Sequence, residues 1–132
     1  MSVDTIELMK KAMLCLAAGL LASSTVSAGE KKLMHCFAFT ELEGATKADW
    51  DAFYKATDEL PKKIKGIDHV WYGKLAHPLT HNNAKRTFGV CMEMDNAEVR
   101  EKYGKDPAHT AWDAAYAKVH VEGTTTYDIL GQ

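Results

Sequence analysis

Large and small side chains alternate along residues 32–40 ("KLMHCFAFT"), with His35 and Phe37 on the same side, and this period of two predicts a first strand. After a turn, Thr46 and Asp49 have the spacing of a capping box, which marks a helix start. Large residues then recur at helical spacing and predict an amphipathic helix of about four turns. Its stripe consists of Trp50, Phe53, Tyr54, Thr57 and Leu60.

Three further segments have the composition of strands. Residues 66–76 ("GIDHVWYGKLA") and 86–94 ("RTFGVCMEM") are rich in β-branched and aromatic residues, and the second of them is apolar enough to be central in a sheet. The polar stretch 77–85 between them is predicted as a loop. Gly123 is expected to break the chain, and residues 124–130 ("TTTYDIL") to form the last strand.

Helix signals fill the segment between the third and fourth strands. A short helix capped by Asp95 or Asn96 is expected to end at Tyr103, and Asp106 followed by Pro107 is typical of a new helix start. The apolar stripe of that last helix consists of Ala108, Ala111, Trp112, Ala115, Tyr116 and Val119.

The predicted order β-α-β-β-α-β is that of an α+β, ferredoxin-like domain. In this arrangement a four-stranded antiparallel sheet carries its helices on one face. The other face also carries apolar residues and needs a cover. A second copy of the sheet is the simplest cover, so we expect a homodimer.

The first 28 residues have the pattern of a secretory signal peptide. Residues 9–28 ("MKKAMLCLAAGLLASSTVSA") run from a basic start through an apolar stretch to small residues, and Met9 is a candidate true start. The alternative is a retained anchor helix, although the apolar stretch is short for a membrane span. A cleaved leader predicts a secreted or periplasmic protein, without a stable membrane anchor, whose domain covers residues 29–132.

Charge and cysteine content narrow the function classes. The net charge of −2 gives no reason to expect a nucleic-acid partner.

Cys15 lies in the leader, while Cys36 and Cys91 lie in predicted strands, where they could pair in an oxidising compartment. Interior strand cysteines are more often small hydrophobic residues, so two free, buried thiols are favoured. No metal site is predicted, because His77 and His81 lack a third ligand.

An ordered set of segments resembles the stress-responsive A/B barrel domain (Dabb) family. The set includes His35 in "MHCFAF", residues 60–74 ("LPKKIKGIDHVWYGK"), residues 103–112 ("YGKDPAHTAW") and residues 125–130 ("TTYDIL"). The resemblance implies a dimeric α+β barrel, in which the sheets of two copies meet. The functions of this family differ widely, and the resemblance implies no cofactor.

Plant polyketide cyclases of this family have a Tyr-x5-His arrangement that Tyr103 and His109 match. The resemblance implies His109 as a general base and Tyr103 as the hydrogen-bond donor to a substrate oxygen. Asp113, four residues after His109, could orient its ring. In the alternative interpretation these residues only form a helix start. Asp106 stands where the family often has a histidine, and the central-strand histidine of the cyclases is replaced at Phe88.

Two classes of function follow. The first is a homodimer without demonstrable catalysis that binds a small apolar or aromatic molecule between sheet and helices, with His35, Phe37, Trp71 and Trp112 as ligand-binding residues. The second is an enzyme of the cyclase or lyase type, or a cofactor-free oxygenase, that uses His109 and Tyr103. A purely structural dimer is the remaining alternative.

Overall fold

The computed structural model of the protein describes residues 30–132, so the predicted leader, with Cys15, lies outside the described residues. The elements follow the predicted ferredoxin-like order, with the second helical segment divided into two helices. In chain order they are β1 (Leu33–Glu41), α1 (Lys47–Lys63), β2 (Ile67–His81), β3 (Ala84–Met94), α2 (Ala97–Tyr103), α3 (Pro107–Tyr116) and β4 (His120–Leu130).

The four strands form one antiparallel sheet in the order β2-β3-β1-β4. β1 and β3 are therefore the inner strands, as the continuous apolar character of residues 86–94 predicted. Alternation along β1 directs His35, Phe37 and Phe39 toward the helices, where their rings lie against aromatic residues of all three helices.

The helices begin at the predicted caps. The Thr46 hydroxyl accepts a hydrogen bond from the Asp49 amide at 3.1 Å, and the Asp49 carboxylate accepts one from the Thr46 amide at 2.9 Å, so the capping box is complete. Of the two candidates for the α2 cap, Asn96 is the one whose side chain accepts from the amide three residues on. The core between helices and sheet includes the fully buried Phe39, Phe53, Leu60, Val90, Met92, Met94 and Val119.

The face of the sheet opposite the helices is called the open face here. One row across it consists of Trp71 on β2, Cys91 on β3, Cys36 on β1 and Tyr127 on β4, since these residues are register partners. Trp71 is 74% exposed and Tyr127 is 49% exposed, so large aromatic residues face outward without a cover in the single chain.

Cys36 and Cys91 are joined by a disulfide, so the preference for two free thiols was wrong. The two residues are direct partners in the β1–β3 ladder, and their Cα atoms are 4.1 Å apart. Opposite residues in an antiparallel ladder have Cβ atoms close enough for this bond. The disulfide ties together the two inner strands on the open face.

Two predicted boundaries were also wrong. Residues 77–85 form a hairpin rather than a loop, because Asn82 and Asn83 adopt φ values of 49° and 62° and make a two-residue turn between β2 and β3.

β4 starts before Gly123, not after it. Gly123 has φ +104°, a backbone conformation that favours glycine, and a Cβ at this position would lie 3.3 Å from the Arg86 guanidinium. Glycine therefore lets β4 continue through this position.

Candidate functional site

A cleft of about 290 Å³ lies on the helix side of the sheet, where α2 and α3 meet β1 and β4. Its lining combines aromatic rings with two histidines, one arginine and two threonine hydroxyls. The lining residues are His35, Phe37, Arg100, Tyr103, Gly104, His109, Trp112, Asp113, Tyr116, Thr124 and Thr126.

The junction between α2 and α3 brings Tyr103 and His109 together. Tyr103 is the last residue of α2, and the Asp106 side chain caps α3 by accepting from the Ala108 amide at 2.8 Å. Pro107 stands at the first turn, where its missing N–H is not needed. The two rings are consequently 4.4 Å apart between centroids and nearly perpendicular, at 73°. Both predicted catalytic residues therefore line one cleft.

The Tyr103 hydroxyl is buried and lacks a hydrogen-bond partner, the only such buried side-chain atom within residues 30–132. The residue is 3% exposed. Burial first, and the nearby Asp113 charge second, raise the pKa of Tyr103, so the phenol keeps its proton. Since buried polar groups are nearly always paired, this hydroxyl is a donor that a ligand oxygen could accept from.

Replacing this hydroxyl tests the assignment. Tyr103→Phe is expected to leave the free energy of unfolding unchanged, or to raise it by up to about 1 kcal/mol, because no hydrogen bond is lost. Tyr116→Phe is the matched control, since the Tyr116 hydroxyl is 2.6 Å from the Thr124 hydroxyl. That change should cost about 1 kcal/mol. Urea unfolding measures both, and a larger loss for Tyr103→Phe would show that its hydroxyl is bonded.

His35, which lines the cleft, is held by the carboxylate of Asp128. Its Nδ1 is 2.6 Å from Oδ1 of Asp128, its register partner on β4. Burial, together with the positive charge of Arg100, lowers the pKa of His35 despite this bond. The ring is therefore neutral with the proton on Nδ1, because a carboxylate only accepts, and Nε2 keeps its lone pair.

Arg100 completes this arrangement. Its Nε lies 3.2 Å and 3.1 Å from the two carboxylate oxygens of Asp128. Burial would raise the pKa of Asp128, but the hydrogen bonds that it accepts from His35 and Arg100, together with the positive charge of Arg100, outweigh it and lower that pKa. Asp128 therefore stays ionised and orients both side chains.

His109 is less tightly held than His35. Its Nδ1 is 3.5 Å from Oδ2 of Asp113, a contact longer than an ordinary hydrogen bond. Its ring stacks on Trp112 with centroids 5.6 Å apart. Asp113 thus lies on the predicted face, where it can interact with an imidazolium but does not fix the ring.

The aromatic wall of the cleft is closely packed. Trp112 packs edge-on against Phe37 at 5.5 Å and stacks on Tyr116 at 4.7 Å. Its indole N–H donates to the Thr57 hydroxyl at 2.9 Å, and that hydroxyl donates to the Phe53 carbonyl at 2.7 Å. Such a wall offers a preformed surface for a flat apolar molecule.

Comparison with known families identifies the fold that carries this cleft. The family model described as "Stress responsive A/B Barrel Domain" (Dabb) matches residues 33–130. The chain belongs to the Dabb family. The curated proteins include no match to it.

Solved structures share the Dabb chain's fold at low sequence identity. A Dabb family protein from Mesorhizobium loti with a ferredoxin-like fold is 19% identical, with a TM-score of 0.60 over 77% of this chain and 98% of that one. A dimeric ferredoxin-like protein of unknown function from Bacteroides fragilis is also 19% identical, with a TM-score of 0.57 over 75% and 95% of the two chains. Hydroxynitrile lyase from Passiflora edulis is 8% identical, with a TM-score of 0.64 over 79% and 96%.

The Dabb cleft brings together five of the six predicted site residues: Tyr103, His109, His35, Phe37 and Trp112. Trp71 is the exception, because it lies on the open face, beside a second cavity of about 360 Å³ near the disulfide. Its inclusion as a residue of the cavity between sheet and helices was wrong.

Sequence reasoning missed Arg100 and Asp128. Asp128 is the only charged residue in the strand segment 124–130. Because side chains alternate between the two faces of a strand, Asp128 lies on the same face as Thr124 and Thr126. That signal could have indicated a partner for the buried His35. Arg100 carries a weaker signal, its position three residues before Tyr103 on the same helix face. Among the described residues, no group of three or more His, Cys, Asp or Glu side chains could hold a metal ion.

Proposed function

We propose that this Dabb protein is a homodimer that binds a small aromatic or apolar molecule in the cleft between α2, α3 and the sheet. The carrying observation is the buried Tyr103 hydroxyl, which has no partner among the described residues although Tyr103 itself lines a cleft. Ligand sites are typically apolar concavities with a few placed polar groups. Phe37 and Trp112 supply the apolar surface, and Tyr103 and His35 supply polar groups.

The open face supports the dimer. Trp71, Tyr127 and Ile129 are all about half exposed or more. Large contiguous apolar patches on soluble proteins usually mark interfaces. Similar folds occur as dimers, including the protein from Bacteroides fragilis and one from Thermobifida fusca. A second copy placed on the open face would cover these residues and leave the cleft, which opens on the helix side, free for a ligand.

Acid–base catalysis in the same cleft is the second candidate. Its support is the contact between the rings of Tyr103 and His109, with Asp113 beside the imidazole. In a cyclase-like or lyase-like reaction, or in a cofactor-free oxygenation, neutral His109 would remove a proton next to a carbonyl. Protonated Tyr103 would then donate to the oxygen on which negative charge develops.

A compartment outside the cytoplasm fits the covalent structure. Disulfides persist in secreted and periplasmic proteins and are rare in the cytosol. The Cys36–Cys91 bond therefore supports the same location as the signal-peptide pattern of residues 9–28. None of the helices within residues 30–132 is long and apolar enough to cross a membrane.

Binding of 2-naphthol, a neutral aromatic alcohol, tests the ligand proposal. We expect a saturable rise in the melting temperature of the wild-type protein, because a ligand that binds only the folded state stabilises it. Tyr103→Phe should weaken binding roughly tenfold, the value of one hydrogen bond to the ligand hydroxyl. His81→Ala is the control, since His81 lies at the far end of β2, outside the cleft lining.

A wild-type protein whose melting temperature does not respond to 2-naphthol or to related bicyclic aromatic compounds would contradict the proposal. An equal response in Tyr103→Phe would remove the hydroxyl from the site. His109→Ala separates the two candidates. If this variant still binds 2-naphthol, His109 is not needed for binding. A turnover assay on the same variant then decides whether His109 is catalytic.

A further inference from the structure

Arg100 introduces a fixed positive charge into the cleft. It lies three residues before Tyr103 in α2, so the two side chains are neighbours on one helix face, and both line the cleft. The hydrogen bonds that Arg100 makes to described residues all come from Nε, and all go to Asp128. A guanidinium has five N–H donors, of which four are on the two Nη atoms.

Asp128 orients Arg100 without using those four donors. One carboxylate oxygen also receives the bond from His35 at 2.6 Å, so the carboxylate is held from two sides. Arg100 is held in turn through Nε, which leaves the Nη edge of the guanidinium as the part that no residue within 30–132 engages. A planar edge with paired N–H groups matches a carboxylate, which can accept two parallel hydrogen bonds.

The other charged group in the lining is Asp113, on α3. It lies next to His109, with 3.5 Å between Nδ1 and Oδ2, and its side chain is half exposed. Asp113 is therefore associated with the His109 side of the cleft, while Arg100 and Tyr103 share α2. The charge of Asp113 still reaches Tyr103, whose pKa it helps to raise, and Asp128 is already engaged by Arg100 and His35. The donors of α2 that have no described partner are the Nη groups of Arg100 and the hydroxyl of Tyr103.

We propose that the ligand of the cleft is an aromatic acid, whose carboxylate binds the Nη edge of Arg100 and the hydroxyl of Tyr103 while its ring lies on Phe37 and Trp112. This inference rests on the proposed function and adds the chemical class of the ligand. Arg100 and Tyr103 both line the cleft and both offer hydrogen-bond donors, which favours a ligand group that only accepts hydrogen bonds. A carboxylate has that property, while a primary amide of the same shape brings two N–H donors of its own.

The test compares 2-naphthoate with 2-naphthamide, which have the same ring system and differ in charge. Isothermal titration calorimetry of the full chain should give roughly tenfold to hundredfold tighter binding of the acid, the range for hydrogen bonds to charged groups. Arg100→Gln should abolish this preference and leave the affinity for the amide within about threefold. Arg100→Lys, which keeps the charge but not the fork, should retain part of the preference.

Lys102→Gln is the control for net charge, since Lys102 is an exposed residue of α2 paired with Glu98 outside the cleft. It should keep the full preference for the acid. Melting curves of all variants show that each is folded. Equal affinities for acid and amide in the wild type, or a preference that survives Arg100→Gln, would overturn the inference and leave the proposed function intact. Binding of neither compound would overturn both.

Discussion

Breaking the Cys36–Cys91 disulfide is expected to lower the free energy of unfolding by about 4 kcal/mol. The two cysteines are 55 residues apart, so the bond restricts a long loop in the unfolded chain. Reduction releases that loop and raises the entropy of the unfolded state. Urea unfolding with and without a thiol reductant measures the effect in the full chain, with Cys15→Ser in every sample so that only one pair can form.

The double variant Cys36→Ala/Cys91→Ala provides the control. Its stability should match that of the reduced protein to within about 1 kcal/mol, the size expected for losing two small buried groups, and should not respond to reductant. Thiol counting by mass spectrometry under denaturing conditions reports the bond directly. Two free thiols in protein isolated from an oxidising compartment would contradict the disulfide and remove its support for the localisation proposal.

The order of elements could be predicted because each element has a local signal. Thr46 with Asp49, and Asp106 with Pro107, satisfy backbone groups at helix starts whatever the rest of the chain does. The Tyr103–His109 junction could be predicted for the same reason. Once one helix ends at Tyr103 and the next begins after Asp106, the two rings are brought together by local geometry.

The hairpin was missed because its turn residues are polar. Asn82 and Asn83 were assigned to a loop, although asparagine is also the residue, after glycine, that most easily adopts positive φ in a two-residue turn. The pairing of Cys36 with Cys91 depends on the register between β1 and β3. Register is a tertiary property that neither strand contains by itself, which is why the cysteines could not be assigned.

Trp71 was misplaced for a related reason. Val70, Trp71 and Tyr72 are all large, so alternation along β2 does not indicate which side faces the helices. The structure turns Tyr72 toward α1, where its hydroxyl donates to Asp58 at 2.9 Å, and Trp71 consequently faces the open side. His35, Arg100 and Asp128 likewise meet only after β1, α2 and β4 are assembled.

Trp71→Glu is expected to dissociate the proposed dimer. Trp71 is 74% exposed in the single chain and stands in the same row as Tyr127, so a partner on the open face would bury it. Central aromatic residues of interfaces contribute about 2 kcal/mol or more each, and a symmetric dimer contains two of them. The dissociation constant should therefore rise roughly a thousandfold or more. Light scattering at micromolar concentration should report a dimer for the wild type and a monomer for the variant.

Ala52→Glu is the matched control, because it adds the same charge at an exposed position of α1, away from the open face. This variant should remain a dimer. Since Trp71 lies outside the cleft, the monomeric Trp71→Glu protein should also keep its affinity for 2-naphthol if the cleft is complete within one chain. A monomeric wild type, or a Trp71→Glu variant that stays dimeric, would show that the open face is not the interface.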